Sequence, residues 1–272
     1  MGFIQVLGLC RFSFPATLDS FQTRHTTMEE RRAYLYSTDR LELRCHWFEH
    51  MALPALKAQT DKRFTLLLLF GDDFPEPYRS RMLDMIRDVK QIVPVFRPSQ
   101  PHRDLYRELM TDARYPNARV VAEFRLDDDD AVAVDFVAQT RLQFHRVSKL
   151  TENSDRIAVD FSKGVAVLAE KEGQVAYTPV IAPNWAPGMV IYLPPNDERS
   201  VMDFPHYKIA RRMPVVSLQH KMMFLRGAHW TNDSPIKINR LEFDFEMTQM
   251  KQTLSERFAF NTASFEAGLK AL

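Results

Sequence analysis

The sequence of 272 residues lacks the features that define several protein classes. Only two cysteines, Cys10 and Cys45, are present, which excludes a disulfide framework and a cysteine-rich zinc site and favours a reducing cytoplasm. The longest apolar run, from Leu66 to Phe70 with its neighbours, is too short to cross a bilayer. We therefore expect a cytoplasmic protein without a transmembrane segment, whose membrane contacts, if it makes any, are peripheral.

The chain also has no large excess of positive or of negative charge. The 36 Lys and Arg residues nearly balance 35 Asp and Glu residues, which leaves a net charge of +1. Such a chain has no electrostatic reason to bind nucleic acid. There is no internal repeat and no low-complexity tract, and a hydrophobic content of 45% suffices for the core of one large domain. We expect residues 1–272 to form a single domain.

Apolar strand patterns alternate with helical patterns through residues 1–150. Strands are predicted at 3–9, 64–70, 92–96 and 118–126, and helices at 38–58, 77–90, 103–112 and 133–148. This order predicts an α/β fold with a mainly parallel central sheet and flanking helices. Ligands of such sheets bind at the carboxyl ends of the strands.

The pattern changes in the second half of the chain. Three short strands at 157–161, 165–169 and 175–180 are separated by turn residues and predict an antiparallel meander. Apolar stretches follow at 189–193 and 215–218, and helical patterns run from about 241 to 271. We therefore expect a smaller antiparallel portion within residues 151–240, followed by C-terminal helices in 241–272.

The most informative segment is an apolar strand that runs into four consecutive aspartates, Asp127 to Asp130. If the strand continues, Asp127 and Asp129 share one face, whereas Asp128 and Asp130 share the other. Carboxylates this close repel one another unless a cation is present, and their hard oxygens suit Mg²⁺ or Mn²⁺. The segment predicts a divalent metal site, and the alternative is a solvated acidic loop or a helix cap.

Several segments resemble GT-A glycosyltransferases. The run 126–130 fits their DxD pattern, and 48–64 resembles the first helix-to-strand passage of family-2-type enzymes. More narrowly, four segments are similar to a bacterial rhamnosyltransferase family. These are Cys10-Arg11-Phe12-Ser13, Phe70-Gly71-Asp72-Asp73-Phe74-Pro75, Arg125-Leu126-Asp127-Asp128-Asp129-Asp130 and His229-Trp230-Thr231-Asn232-Asp233-Ser234. The resemblance, which spans most of the chain, implies a GT-A-like fold. It also implies transfer of a sugar, such as rhamnose, from a nucleotide-sugar donor to a glycan, lipid-linked or small-molecule acceptor.

The resemblance further implies roles for single residues. Asp127 would face the nucleotide ribose or a metal-bound water, Asp129 would ligate the cation, and His229 would complete the metal site. Asp130 would support the metal or the acceptor. Because four aspartates run together, these assignments can shift by one position.

Other residues are expected to contact the substrates. Arg11 and Arg125 lie where a guanidinium could pair with diphosphate oxygens, and the alternative is that each is a surface cation. Asp72 follows the second strand and could receive the base or the ribose, unless it is a turn residue. Trp185 could stack on an acceptor sugar or plug the core.

An inverting transferase also needs a general base for the acceptor hydroxyl. Candidates in the proline-rich passage are Asp197, Glu198 and Asp203, and with the strand-end aspartate the predicted catalytic pair is Asp130 and Asp203. A retaining mechanism would require no such base.

Two other classes stay open at this point. One is another metal-dependent nucleotide or phosphate enzyme, such as a nucleotidyltransferase, although no Gly-rich basic loop follows the N-terminal strand. The second is a non-catalytic domain that binds a nucleotide sugar. Release of nucleoside diphosphate from the donor distinguishes a transferase from a binding domain.

Overall fold

The computed structural model describes residues 2–18, 26–232, 243 and 245–272, without the side chains of 151–153. Asp233 and Ser234, which belong to the resemblance above, lie outside the described residues, as does the predicted helix start at Leu241. The C-terminal helices within the described part begin at Met250 and Thr262.

Eleven strands occur in the described part of the chain. They are β1 Ile4–Arg11, β2 Thr65–Gly71, β3 Ile92–Arg97, β4 Val120–Asp127, β5 Asp130–Val132, β6 Ile157–Phe161, β7 Lys163–Ala169, β8 Val175–Ile181, β9 Met189–Leu193, β10 Val215–Leu218 and β11 Phe224–Ala228. Seven of them form a central sheet in the order β10-β6-β9-β4-β1-β2-β3. Only β9 runs antiparallel to its neighbours in this sheet, so the predicted mainly parallel α/β architecture is confirmed.

The remaining four strands form a second sheet in the order β5-β11-β7-β8. The predicted meander is wrong in its first strand, because β6 belongs to the central sheet whereas β7 and β8 pair in the second one. All five residues of β6 are buried, and such a strand is covered on both faces inside a large sheet rather than placed in a half-exposed meander. The second sheet is also mixed, since β11 pairs parallel with β7.

Eight α-helices flank these sheets in the described part. They are α1 Met28–Leu35, α2 Thr38–Trp47, α3 Leu53–Lys57, α4 Tyr78–Ile86, α5 His102–Asp112, α6 Phe136–Val147, α7 Met250–Phe258 and α8 Thr262–Leu269. A π-helical turn, Phe48–Ala52, joins α2 to α3, so the helix predicted at 38–58 is present with this interruption. Helix α1 was not predicted, and its start is fixed by a capping box between Thr27 and Glu30. None of the described helices has the length and apolarity needed to cross a bilayer.

The central sheet is buried on both faces, which explains the continuous apolar runs in its inner strands. In β2, Leu66 and Leu68 pack into one core and Leu67 and Leu69 into another on the opposite face. Parallel strands covered by helices on both sides have this composition. The packing fixes β1 and β4 side by side, with their carboxyl ends at the same edge.

We predict that Gly8→Ala destabilises the protein by about 1–3 kcal/mol, the usual cost of overpacking. Gly8 lies in β1, and a Cβ there would collide with the ring of Phe124 and with Leu66. Chemical denaturation measures the change. Gly8→Ala combined with Phe124→Leu should recover part of the loss, and strict additivity of the two substitutions would contradict the collision.

Candidate active site

The site lies where β1 and β4 end. Arg11 and Asp127 are opposite each other in the parallel register, and Arg11 Nη2 donates to Asp127 Oδ1 at 2.7 Å. The carboxyl edge of a parallel sheet is the usual place for a ligand, because strand ends and their loops converge there. The side chain of Asp127 keeps 27% of its surface exposed.

The chain turns directly after Asp127, so the four aspartates do not continue as one strand. Asp128 and Asp129 form the turn, and Asp130 begins β5. The predicted alternation is therefore wrong, because a turn removes the period of two that it assumed. Carboxylate oxygens of Asp127, Asp129 and Asp130 instead lie within 4.8 Å of one another, and we call these three residues the aspartate cluster.

Two arginines that were not predicted from the sequence neutralise the aspartates. Arg44 on α2 donates from Nε to Asp128 Oδ2 and from Nη1 to Asp129 Oδ2, each at 2.9 Å. Arg226 on β11 donates from Nη1 to Asp130 Oδ2 at 2.6 Å and to Asp127 Oδ2 at 3.2 Å. An available signal was the presence of each arginine within an otherwise apolar helix face or strand, since a charge is rarely buried unless it is paired.

These pairs set the ionisation of the cluster. Burial acts to raise the pKa of Asp127, but Arg11 and Arg226 outweigh it and hold the pKa well below its usual range. Burial is likewise outweighed at Asp129, whose pKa Arg44 and the contact with His229 lower. Burial and the two neighbouring carboxylates raise the pKa of Asp130 well above normal. Asp127 and Asp129 are therefore the anionic members of the cluster.

His229 follows β11 and lies against the cluster. Its Nε2 is 3.1 Å from Asp129 Oδ2, and its Nδ1 accepts from the backbone N–H of Thr231 at 3.3 Å. The backbone contact favours a proton on Nε2, which would donate to Asp129, whereas Arg44 Nη1 lies 3.1 Å from Nε2 and can only donate, so that contact requires a lone pair on Nε2. Burial lowers the pKa of His229, so the ring is neutral. The nitrogen nearest the cluster carries a proton in one neutral tautomer and a free lone pair in the other.

A cavity of about 1050 Å³ opens beside the cluster. Arg11, Arg125 and Asp127 line it from the first half of the chain, and Trp185 and Asp203 line it from the second half. The structure thus brings together five residues that were predicted separately. Their meeting follows from the fold, because β1, β4 and the segments around β9 all reach the same edge of the sheet.

A smaller cavity of about 170 Å³ lies against the same edge and is lined by Arg11, Ser13, Asp127 and Asp129, among others. Ser13 has a left-handed φ of 45°, which is strained for a residue with a Cβ. Its Oγ is buried without a hydrogen-bond partner among the described residues. A buried hydroxyl without a partner beside a cavity is a position for a polar ligand group.

The remaining predicted residues lie elsewhere or are already bonded. Asp72 is exposed after β2 and does not line either cavity. Asp203 accepts from Arg107 at one oxygen and from Ser200 at the other. Asp197 pairs with Arg156 beside a separate cavity, which Glu198 also lines. Of these candidates only Asp203 reaches the main cavity.

One further residue of the main cavity, His206, was not predicted from sequence. Its Nδ1 lies 2.5 Å from the backbone oxygen of Asn184, so that nitrogen carries the proton and donates to the carbonyl. Burial and the nearby Arg125 lower the pKa of His206 to about 4. The ring is neutral, and its Nε2 retains a lone pair.

Comparison with known proteins identifies the family. The chain belongs to the family described as "Putative rhamnosyl transferase", whose sequence profile matches residues 5–241. The residues matched include the aspartate cluster, Arg44, Arg226 and His229. The expected membership of a glycosyltransferase family is therefore confirmed. No curated protein sequence matches the chain.

Several solved structures are similar to the chain at low sequence identity. S. aureus TarS has a TM-score of 0.43 and 10% identity, covering 83% of this chain and 37% of the TarS chain. TarS 1-349 in complex with UDP-GlcNAc has a TM-score of 0.41 and 10% identity, covering 96% of this chain and 73% of that one. The 4-diphosphocytidyl-2C-methyl-D-erythritol synthase of Anaerococcus prevotii has a TM-score of 0.34 and 8% identity, covering 79% of this chain and 88% of that one. The chain thus spans well under half of the longer TarS structure.

We predict that Arg44→Met destabilises the protein by about 3–5 kcal/mol, because it leaves Asp128 and Asp129 as buried, uncompensated charges. The side chain of Arg44 is 10% exposed and that of Asp128 is fully buried. Arg81→Met is the matched control, since Arg81 pairs with Glu42 at the surface, where an ion pair contributes under about 1 kcal/mol. Equal losses in the two variants, measured by urea denaturation, would contradict the structural role of Arg44.

Proposed function

We propose that the protein transfers a sugar from a nucleotide-sugar donor to an acceptor hydroxyl. The observation that carries the proposal is the aspartate cluster at the wall of a cavity large enough for a small polar ligand and part of a second one. The family points to rhamnose as the sugar. A glycan, a lipid-linked sugar or a small molecule would be the acceptor.

The cluster suits a divalent cation by its donor set. Three residues offer carboxylate oxygens within 4.8 Å of one another, and Mg²⁺ and Mn²⁺ prefer such hard ligands. We propose Asp127 and Asp129 as the anionic ligands, with Asp130 beside them. His229 would be a ligand through Nε2 in the neutral tautomer that carries its proton on Nδ1. The cation would stabilise the negative charge that develops on the diphosphate leaving group.

The protein's own cations would share this task. Arg11 lines both cavities and contacts Asp127, so a diphosphate bound there would meet its guanidinium directly. The Ser13 hydroxyl at the smaller cavity is free to bond a polar group of the donor. Asp72 remains proposed for the base or the ribose, from its place at the end of β2, the strand beside β1.

In an inverting mechanism, removal of the acceptor proton requires a base in the main cavity. Both oxygens of Asp203 are already hydrogen-bonded, and Asp130 is fully buried against Arg226 and does not line the main cavity, so neither predicted residue presents a free oxygen to the acceptor. His206 lines the cavity with a lone pair on Nε2. We therefore propose His206 as the base and a positioning role for Asp203 in the cavity wall.

The cation requirement is the first test. Calorimetry with UDP, GDP, dTDP and CDP should find one nucleotide that binds in Mg²⁺ or Mn²⁺ and binds at least about tenfold more weakly in EDTA, since diphosphate and carboxylates repel each other without the cation. Asp127→Asn should weaken this binding about tenfold or more, the cost of losing a charge-assisted contact. Equal affinity in EDTA would remove the metal from the proposal.

A control for Asp127→Asn is Asp135→Asn. Asp135 is also held by ion pairs, with Arg257 and Lys221, but does not line either cavity. It should lose stability without losing nucleotide affinity. If neither wild type nor variants bind any of the four nucleotides, the glycosyltransferase assignment of this site fails.

The base assignment is tested by donor hydrolysis with the nucleotide rhamnose of the best-bound base. His206→Gln should slow release of nucleoside diphosphate about 10²-fold, a usual contribution of general base catalysis, while nucleotide affinity is retained. Asp203→Asn should slow it much less. The reverse order of the two variants would return the role of base to Asp203.

A further inference from the structure

More arginines line the main cavity than are paired with the aspartate cluster. Two of its five arginines, Arg11 and Arg226, are held by aspartates of the cluster. The other three, Arg103, Arg125 and Arg212, form no ion pair with any residue in the described part of the chain. Unlike the paired arginines, these three guanidiniums are available to a ligand.

Of these three arginines, Arg125 is the strongest indication of an anionic ligand, because its side chain is partly buried. It lies on β4 two residues before Asp127 and faces the cavity. A guanidinium taken out of water without a counter-ion is costly, and an anionic ligand would remove that cost.

Arg125 forms no ion pair with the aspartate cluster, although it lies only two residues before Asp127. Arg125 lies close enough to His206 to lower the pKa of the His206 ring, and both residues line the main cavity. Arg212 lines the same cavity, directly after the 3₁₀ segment His206–Arg211. Trp185 and the 67% exposed Tyr207 line this cavity as well, and their rings can stack on a sugar.

We propose that the acceptor carries an anionic group, a phosphate or a carboxylate, which Arg125 and Arg212 bind. The proposal rests on the proposed function, because it assigns the donor diphosphate to the aspartate cluster and its cation, so that these two guanidiniums are left for a second anion. Arginine binds both kinds of oxyanion through paired hydrogen bonds. The acceptor hydroxyl would then be placed between this anchor and His206.

The test uses three sugars that differ in one group: glucose, glucose 6-phosphate and glucuronate. Each is titrated by calorimetry into the protein with Mg²⁺, with and without a saturating amount of the nucleoside diphosphate that binds best. One of the two charged sugars should bind at least about tenfold more tightly than glucose, and which one does distinguishes phosphate from carboxylate. This preference should persist when the nucleotide is bound.

Arg125→Gln and Arg212→Gln should each reduce the affinity for the charged sugar about tenfold, and much less the affinity for glucose. Arg211→Gln is the control, since it removes the same charge from the neighbouring exposed position outside the cavity. Thermal denaturation checks folding: Arg125→Gln should melt at or above the wild-type temperature, because it removes an unpaired charge.

Three results would overturn the inference. The charged sugars could bind no better than glucose, the Arg211→Gln control could lose as much affinity as the other two variants, or the nucleotide could displace the charged sugar, which would assign the guanidiniums to the diphosphate. Absence of nucleotide binding would contradict the proposed function instead. The titrations without nucleotide would then decide whether Arg125 and Arg212 bind an anion.

Discussion

The structure depends on the neutralisation of four consecutive aspartates at the end of a buried strand. Guanidiniums reach them from three separate elements: Arg11 from β1, Arg44 from α2 and Arg226 from β11. Charges buried this deeply are tolerated only when they are paired and hydrogen-bonded. The end of β4 is therefore complete only when segments more than a hundred residues apart have come together, and this network ties the second sheet to the central one.

The same network divides the aspartates by role. Asp128 is bound by Arg44 away from the main cavity, and Asp130 is held by Arg226 and by the backbone N–H of Gly227. Asp127, with 27% of its side chain exposed, lines both cavities. A ligand therefore meets the cluster mainly through Asp127, and the other carboxylates fix the turn that presents it.

The sequence predicted most of the first half because its signals are local. An apolar run such as β2 must be covered on both faces, and an acidic run at the end of such a strand must meet cations. The identity of those cations was not predictable, since Arg44 and Arg226 are distant in sequence and nothing local assigns them to the aspartates. The placement of β6 failed for the same reason: its apolar residues indicate burial but not which strand it pairs with.

Strand direction explains why the cavity forms at this edge. In the central sheet only β9 is antiparallel to its neighbours, so it starts, rather than ends, at the carboxyl edge of β4. The segment that precedes β9 contains Trp185, which lines the same cavity as Arg125 and Asp127. After β9 the chain returns along the sheet face, where Val201 and Phe204 are buried, and brings His206 back to the same edge. Because β9 is antiparallel, the segment before it begins at the edge of the sheet where the aspartates lie, and the segment after it returns there. A parallel strand at this position would start at the other edge of the sheet.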